Sequence, residues 1–244
     1  MTTTPIEIAV QDETGVRIAL AEGAARVELC QALVLGGLTP SAGLIEAAVD
    51  AARSAGRSGF VQVLVRPRGG GLVYDASELD AIERDIRHAV RLGADGVVVG
   101  ALTDAGELDE PALRRFIDAA EGREVTVHRA VDAATDTRAA VAAAGRIGAR
   151  RVLTSGGAAD CRAGLGVLAE LVADADGLEI MAGGGVRIVD IPDLVAAGVS
   201  AVHLSARGTA ARGGPSGPGG GAEGFDVTDR GLVRAAVAQA ALLG

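Results

Sequence analysis

The chain contains no lysine, so its 23 cationic side chains other than histidine are all arginine. An imine to a substrate carbonyl or to pyridoxal phosphate needs a lysine amine. Schiff-base aldolase and pyridoxal-phosphate chemistry are therefore excluded. Tryptophan is absent and aromatics make up only 2% of residues, so any core must be built from Ala, Val, Leu and Ile. No uninterrupted apolar run reaches the ~20 residues of a membrane-spanning helix, and no membrane partner is expected. A formal charge of −9 argues against nucleic acid as a partner, since such binding needs clustered cations. The two cysteines, Cys30 and Cys161, lie far apart and do not suggest a disulfide framework. Met1 to Thr4, before Pro5, lacks the basic-then-apolar plan of a secretory leader. The expectation from these absences is a reduced, cytoplasmic protein.

What is present is a repeat. Gly23-Ala-Ala-Arg-Val-Glu-Leu-Cys30, Gly93-Ala-Asp-Gly-Val-Val-Val-Gly100, Gly148-Ala-Arg-Arg-Val-Leu-Thr-Ser155 and Gly198-Val-Ser-Ala-Val-His-Leu-Ser205 share one pattern. Each opens on a glycine suited to ending a helix in the left-handed conformation, then runs into a short apolar strand. Further strands are predicted at Ile6–Val10, Val61–Arg66, Glu124–His128 and Glu179–Ala182. Helical periodicity separates them, as in Leu79–Arg91 and Pro111–Ala120. Eight alternations of strand and helix predict parallel pairing with right-handed crossovers, and hence a single α/β domain over 1–244, a (β/α)₈ TIM barrel. The length of 244 residues agrees with the ~250 typical of that fold. A doubly wound sheet is the structural alternative.

Side chains alternate across a strand. Val27, Val97, Val152 and Val202 should face the helices, with Leu29, Val99, Thr154 and Leu204. Glu28, Val98, Leu153 and His203 should then point into the barrel, and Cys30, Gly100, Ser155 and Ser205 should follow at the carboxyl rim. The same parity sends Glu7, Gln62, Arg66, Thr126 and His128 inward. A barrel interior is normally filled by branched apolar residues, so a chamber holding two carboxylates, an arginine and two histidines reads as a functional site.

The rim motifs sharpen this. Val65-Arg66-Pro67-Arg68-Gly69-Gly70-Gly71 places two guanidinium forks around a fixed proline, suited to a carboxylate or phosphate. Equally, Arg66 neutralises a buried Glu7 or Glu28. Val125-Thr-Val-His128-Arg129-Ala-Val-Asp132 puts a carboxylate one turn from an inward histidine, a pattern for proton transfer or metal ligation. Met181-Ala-Gly183-Gly184-Gly185-Val186-Arg187 and His203-Leu-Ser205-Ala206-Arg207 follow strands 7 and 8, where barrels often bind phosphate. The candidate catalytic residues are Glu7, Glu28, His128 and Asp132. Candidate anion-binding residues are Arg66, Arg68, Arg129, Ser155, Gly183, Gly184, Gly185, His203 and Ser205. Thr39 or Ser41 should cap a helix beginning near Leu44. The Gly- and Pro-rich stretch at about 207–224 reads as a mobile loop, and Asp226 or Thr228 should start a closing helix that runs through Leu243. Cys161 reads as an ordinary thiol and His88 as a surface residue.

Seven stretches, in order, resemble the CutC copper-homeostasis family over nearly the whole chain: Gly23–Cys30, Gly36-Gly-Leu-Thr-Pro-Ser41, Arg66-Pro-Arg-Gly-Gly70, Gly93–Thr103, Val125–Asp132, Arg151-Val-Leu-Thr-Ser-Gly156 and Met181–Gly185. The resemblance implies a cytosolic barrel, a homo-oligomer, with a role in copper homeostasis and Cu(I) binding. Cys30 is the metal ligand it implies. Two departures stand out. Relatives proposed to bind Cu(I) carry a cysteine two residues after the strand 1 glutamate, where this chain has Ala9. The family's Met-, Arg- and Asn-containing run after strand 8 is replaced by Gly-rich sequence. Cu(I) prefers soft thiolate or thioether ligands, and one cysteine alone is a poor site. An enzyme of isomerase or lyase type, acting on a small anionic or phosphorylated metabolite with or without a divalent metal, is the competing reading of the same residues.

Overall fold

The structure is a computed structural model describing residues 3–210 and 224–243. Eight strands form the barrel: β1 (Ile6–Val10), β2 (Arg26–Leu29), β3 (Val61–Leu64), β4 (Gly96–Val99), β5 (Glu124–Val127), β6 (Arg151–Thr154), β7 (Glu179–Gly183) and β8 (Ala201–Leu204). They pair in sequence order, all parallel, and β8 returns to β1 to close the barrel. Nine helices accompany them: α1 (Glu13–Ala21), α2 (Ala42–Ser54), α3 (Ala76–Arg91), α4 (Glu110–Ala119), α5 (Ala130–Ala133), α6 (Thr137–Arg146), α7 (Leu165–Ala173), α8 (Ile191–Ala196) and α9 (Arg230–Ala241), counted among the described residues. The expected (β/α)₈ TIM barrel is the observed fold.

Local chemistry sets the element ends. The carboxylates of Asp12, Asp75, Asp109, Asp136 and Asp229 each accept a backbone N–H in the first turn of the helix that follows. Such caps satisfy donors that have no partner inside the helix, typically contributing about 1 kcal/mol each. Ser41 caps α2 in the same way, as its position suggests, and the helix begins at Ala42. The closing helix starts later than expected. Asp226 and Thr228 lie in β10 (Phe225–Thr228), antiparallel to β9 (Arg207–Ala210), and Asp229 is the cap of α9. The stretch read as a loop therefore begins as strand at Arg207, and its remainder at 211–223 lies outside the described residues.

The alternation read from the repeat places the core. Val27, Val97, Val152 and Val202, with Leu29, Val99 and Leu204, belong to the large cluster between sheet and helices. The barrel interior holds two smaller apolar groups. Cys30, Leu64 and Val98 form one, and Leu153, Met181 and Ala201 the other. Fully burying an aliphatic side chain contributes roughly 1.5–3 kcal/mol, so the outer cluster carries most of the stability without aromatic residues. The rest of the interior is polar. Register sets Glu7 beside both Arg26 and His203, Glu28 beside Gln62, and Thr126 beside Arg151.

Candidate functional site

A cavity of about 440 Å³ opens at the carboxyl ends of the strands. Glu28, Arg66, His128, Arg129, Gly184, Gly185, His203, Ser205 and Arg207 line it, with Ala9, Leu33, Leu64, Leu153 and Val186 supplying apolar wall. Glu28 is the only carboxylate among its lining residues, against three arginines. Two of the three are paired, Arg129 with Asp132 and Arg207 with Asp226, which leaves Arg66 without a carboxylate partner among the described residues.

Beneath the cavity runs a buried polar chain. Arg26 Nε donates to Glu7 Oε2 at 2.5 Å, and His203 Nδ1 lies 2.7 Å from Glu7 Oε1. Burial opposes ionisation of Glu7, but the His203 hydrogen bond and the Arg26 charge outweigh it and hold its pKa at about 2. An ionised carboxylate only accepts, so His203 Nδ1 carries the proton. The other ring nitrogen, Nε2, is 3.9 Å from Glu28 Oε2. Burial works against the imidazolium of His203, but the Glu28 charge and the Glu7 hydrogen bond and charge raise its pKa. Burial pushes Glu28 up to about 7, the His203 charge opposing and the Glu7 charge adding. Glu28 and His203 are therefore charge-coupled across 3.9 Å at the cavity wall, beyond direct hydrogen-bond reach, with Glu7 and Arg26 fixing the imidazole from below.

His128 follows β5 and is 7% exposed. The backbone N–H of Ala130 donates to its Nδ1 at 3.1 Å, so Nδ1 presents a lone pair and the neutral ring carries its proton on Nε2. That nitrogen is buried without a partner among the described residues. Burial, reinforced by the nearby Arg66 charge, lowers the His128 pKa to about 4. Glycine at position 100 is required here, because a Cβ would come within 2.4 Å of His128 Cε1 and 2.5 Å of Nδ1.

Arg66 does not pair with Glu7 or Glu28. Its Nη1 donates to the carbonyls of Leu35 and Gly37 and its Nη2 to that of Gly70, tying the loop after β2 to the loop after β3. Its Nε is buried with no partner in hydrogen-bond geometry among the described residues, as is the neighbouring Tyr74 hydroxyl. Arg129 donates to Asp132 and to Ser155 Oγ and lies against Gly184, where a Cβ would sit 2.8 Å from its Cζ. Gly184 also has φ +116°, a conformation L side chains rarely adopt. Arg207 bonds Ser205 Oγ and Asp226.

Several expected residues are placed elsewhere. Asp132 is not a partner of His128. It accepts from Thr154 Oγ1 at 2.5 Å, from the N–H groups of Ser155 and Gly157, and from Arg129, which makes it a clamp on the loop after β6. Ser155 is fully buried, its hydroxyl within reach of Asp132 and the Ala158 carbonyl. Arg68 turns away from the cavity to Glu78, which completes the capping box of α3, and stacks over Tyr74. Gly183 faces Leu153 and His203 rather than the cavity. Cys30 is not at an open rim. It is fully buried, its thiol donating to the Val10 carbonyl at 3.5 Å, and burial with the neighbouring Glu28 charge drives its pKa up, away from thiolate. Cys161 is likewise buried, which pushes its pKa up to about 12. Arg26 and Arg151 were not singled out, although each sits two residues before an inward residue of its own strand. Arg151 packs at the opposite end of the barrel with Glu124, Glu179 and Thr126.

Fold and cavity together define a TIM-barrel protein with a ligand-sized chamber at the mouth where this architecture carries its function. The CutC family model matches residues 4–208, and the chain belongs to the CutC family. It is 41% identical over 209 residues to the CutC family protein of Xanthomonas campestris pv. campestris, covering 84% of this chain and 85% of that one. With the Caulobacter vibrioides family protein it shares 43% over 202 residues, covering 82% and 80%. The crystal structure of the candidate copper homeostasis protein CutC from Streptococcus agalactiae superposes with a TM-score of 0.77 at 32% identity, covering 82% of this chain and 97% of that one.

Proposed function

We propose that the protein serves copper homeostasis, the role in the name of its Streptococcus agalactiae neighbour, and does so through a small anionic ligand bound in the barrel mouth. Arg66 carries this reading: a cation lining the cavity, bonded only to backbone carbonyls, with no carboxylate partner among the described residues. An anion supplies what that guanidinium lacks. Arg129 and Arg207 line the same mouth, each already paired with an aspartate, and Glu28 with His203 is placed to exchange a proton with the ligand. The proximity of Glu28 and His203 is what an enzyme of isomerase or lyase type, the alternative reading, would use, and it needs no lysine. The protein acts in the cytoplasm as a homo-oligomer, as the family resemblance suggests. No helix among the described residues is long and apolar enough to cross a membrane.

The residues present do not fit a copper ion held by one barrel alone. Cu(I) calls for at least two soft donors. Cys30 packs against Leu64 and Val98, its environment opposes the thiolate, and Ala9 stands where a second thiol is expected. Among the described residues no group of three His, Cys, Asp or Glu side chains is arranged to hold a metal ion. Thermal-shift measurement with small phosphorylated and carboxylated metabolites, beside Cu(I) competition against a chelator, tests the proposal. An anion should raise the melting temperature of the wild type and lose that effect in Arg66→Ala. Stoichiometric Cu(I) binding abolished by Cys30→Ala, with no stabilising anion, would overturn it.

A further inference from the structure

We infer that Arg66 Nε–H and His128 Nε2–H form an oxyanion pocket inside the cavity, so that the ligand is a small anion whose inner end is a carbonyl or carboxylate oxygen. The inference rests on the anion-chamber reading above and adds what that reading leaves open, the chemical group recognised at depth.

Two buried side-chain N–H donors without a partner among the described residues belong to residues lining one cavity. Buried donors are nearly always satisfied, and leaving one unpaired costs about 1–3 kcal/mol. Two at one site mark a place kept for an acceptor. The hydrogen bond from Ala130 makes the assignment directional. A histidine that accepts at Nδ1 offers a proton, not a lone pair, at Nε2. In this conformation it therefore cannot ligate a metal through Nε2, because moving its proton to Nδ1 would set two N–H groups against each other. It can donate to oxygen. A neutral imidazole donor suits a carbonyl or developing oxyanion, as a weakly acidic group held against a charge that appears there. Arg66 has both Nη groups committed to loop carbonyls. Its Nε–H, near the equally unpartnered Tyr74 hydroxyl, is the part of the fork left for a ligand in the cavity that His128 also lines. Gly70, Leu64 and Leu72 line the same cavity as the two donors.

Nitrogen-15 NMR of the imidazoles at about pH 7, followed by calorimetric titration with phosphoglycolate and with methyl phosphate, tests the inference. The two probes share a phosphate ester, and only the first has a carboxylate. His128 should show the Nε2-protonated tautomer, and its Nε2 signal should move on addition of phosphoglycolate. The wild type should prefer phosphoglycolate by roughly ten-fold, the effect of one hydrogen bond to a charged group. His128→Ala, which leaves only Arg66 Nε–H in the pocket, should weaken the preference several-fold while retaining methyl phosphate binding, which also reports that the variant is folded. His128→Gln, which restores a donor, should recover most of it. An Nδ1-protonated ring, or a preference unchanged in His128→Ala, overturns the oxyanion pocket and leaves the anion chamber standing. Failure of both probes to bind the wild type removes the chamber itself, and the pocket with it.

Discussion

Replacing Glu7 by Gln removes one negative charge from a buried chain in which Arg26 and His203 both bond to it, while leaving shape almost unchanged. Arg26 is 8% exposed, so the variant leaves a guanidinium buried against a neutral amide. Breaking a buried pair in this way costs about 3–5 kcal/mol. Titration gives a second route to the magnitude. The Glu7 pKa falls from 4.5 to about 2 on folding, which at 1.36 kcal/mol per pH unit corresponds to about 3 kcal/mol. At roughly 2–4 °C per kcal/mol for a domain of this size, the melting temperature should fall by about 6–20 °C at pH 7. Because the folded pKa is depressed, this stability is present above the unfolded value and is lost as pH falls from about 4.5 through about 2. Urea unfolding of wild type and Glu7→Gln should therefore differ most near neutrality and converge in strong acid. Arg26→Met should be destabilising alone and less so on top of Glu7→Gln, since the double variant leaves no unpaired charge in that pair. A loss below about 1 kcal/mol at pH 7, or a difference that persists unchanged to the lowest pH, would show that the chain of contacts under the cavity is not coupled as described.

Asp132→Ala removes the acceptor shared by Thr154, Ser155, Gly157 and Arg129; chemical denaturation should register a loss of about 2–4 kcal/mol. Glu28→Gln should act in the opposite direction at high pH. The raised pKa of Glu28 means its stability contribution is full below about pH 4.5 and declines as pH rises through about 7, so the variant should gain on wild type by up to about 3 kcal/mol at pH 8 and by little at pH 4. A pH series of melting temperatures showing no such crossover would refute the burial of that carboxylate. Gly184→Ala forces a left-handed backbone and a methyl group into Arg129; a destabilisation of about 1–3 kcal/mol, with weakened anion binding in calorimetry, is expected.

The barrel was readable because its repeat carries both a stop signal and a period. Gly23, Gly93, Gly148 and Gly198 all take the positive φ that the helix-ending role requires, and two-residue alternation then assigns each strand face. The same alternation points to Glu28, His128 and His203. It equally includes Arg26 and Arg151, one step earlier on their strands, so the polar floor was open to a fuller reading. Distances between loops were not. Whether Asp132 turns to His128 or to the loop after β6 depends on the four-residue α5, too short to leave a periodic signature. Arg68 looks identical to Arg66 in sequence, and only the capping box at Asp75 and Glu78 draws it away. Cys30 follows the inward parity, but parity does not reveal that Leu64 and Val98 close over it. The β9 and β10 pairing joins segments on either side of a Gly-rich stretch that carries no strand pattern of its own.

Crystals grown from phosphate offer the most direct look at the chamber. Tetrahedral density inside the mouth, within hydrogen-bonding distance of Arg66 or His128, is the expected result. A mouth holding only water, with phosphate confined to the outer helices or copper bound at Cys30, would contradict the anion chamber.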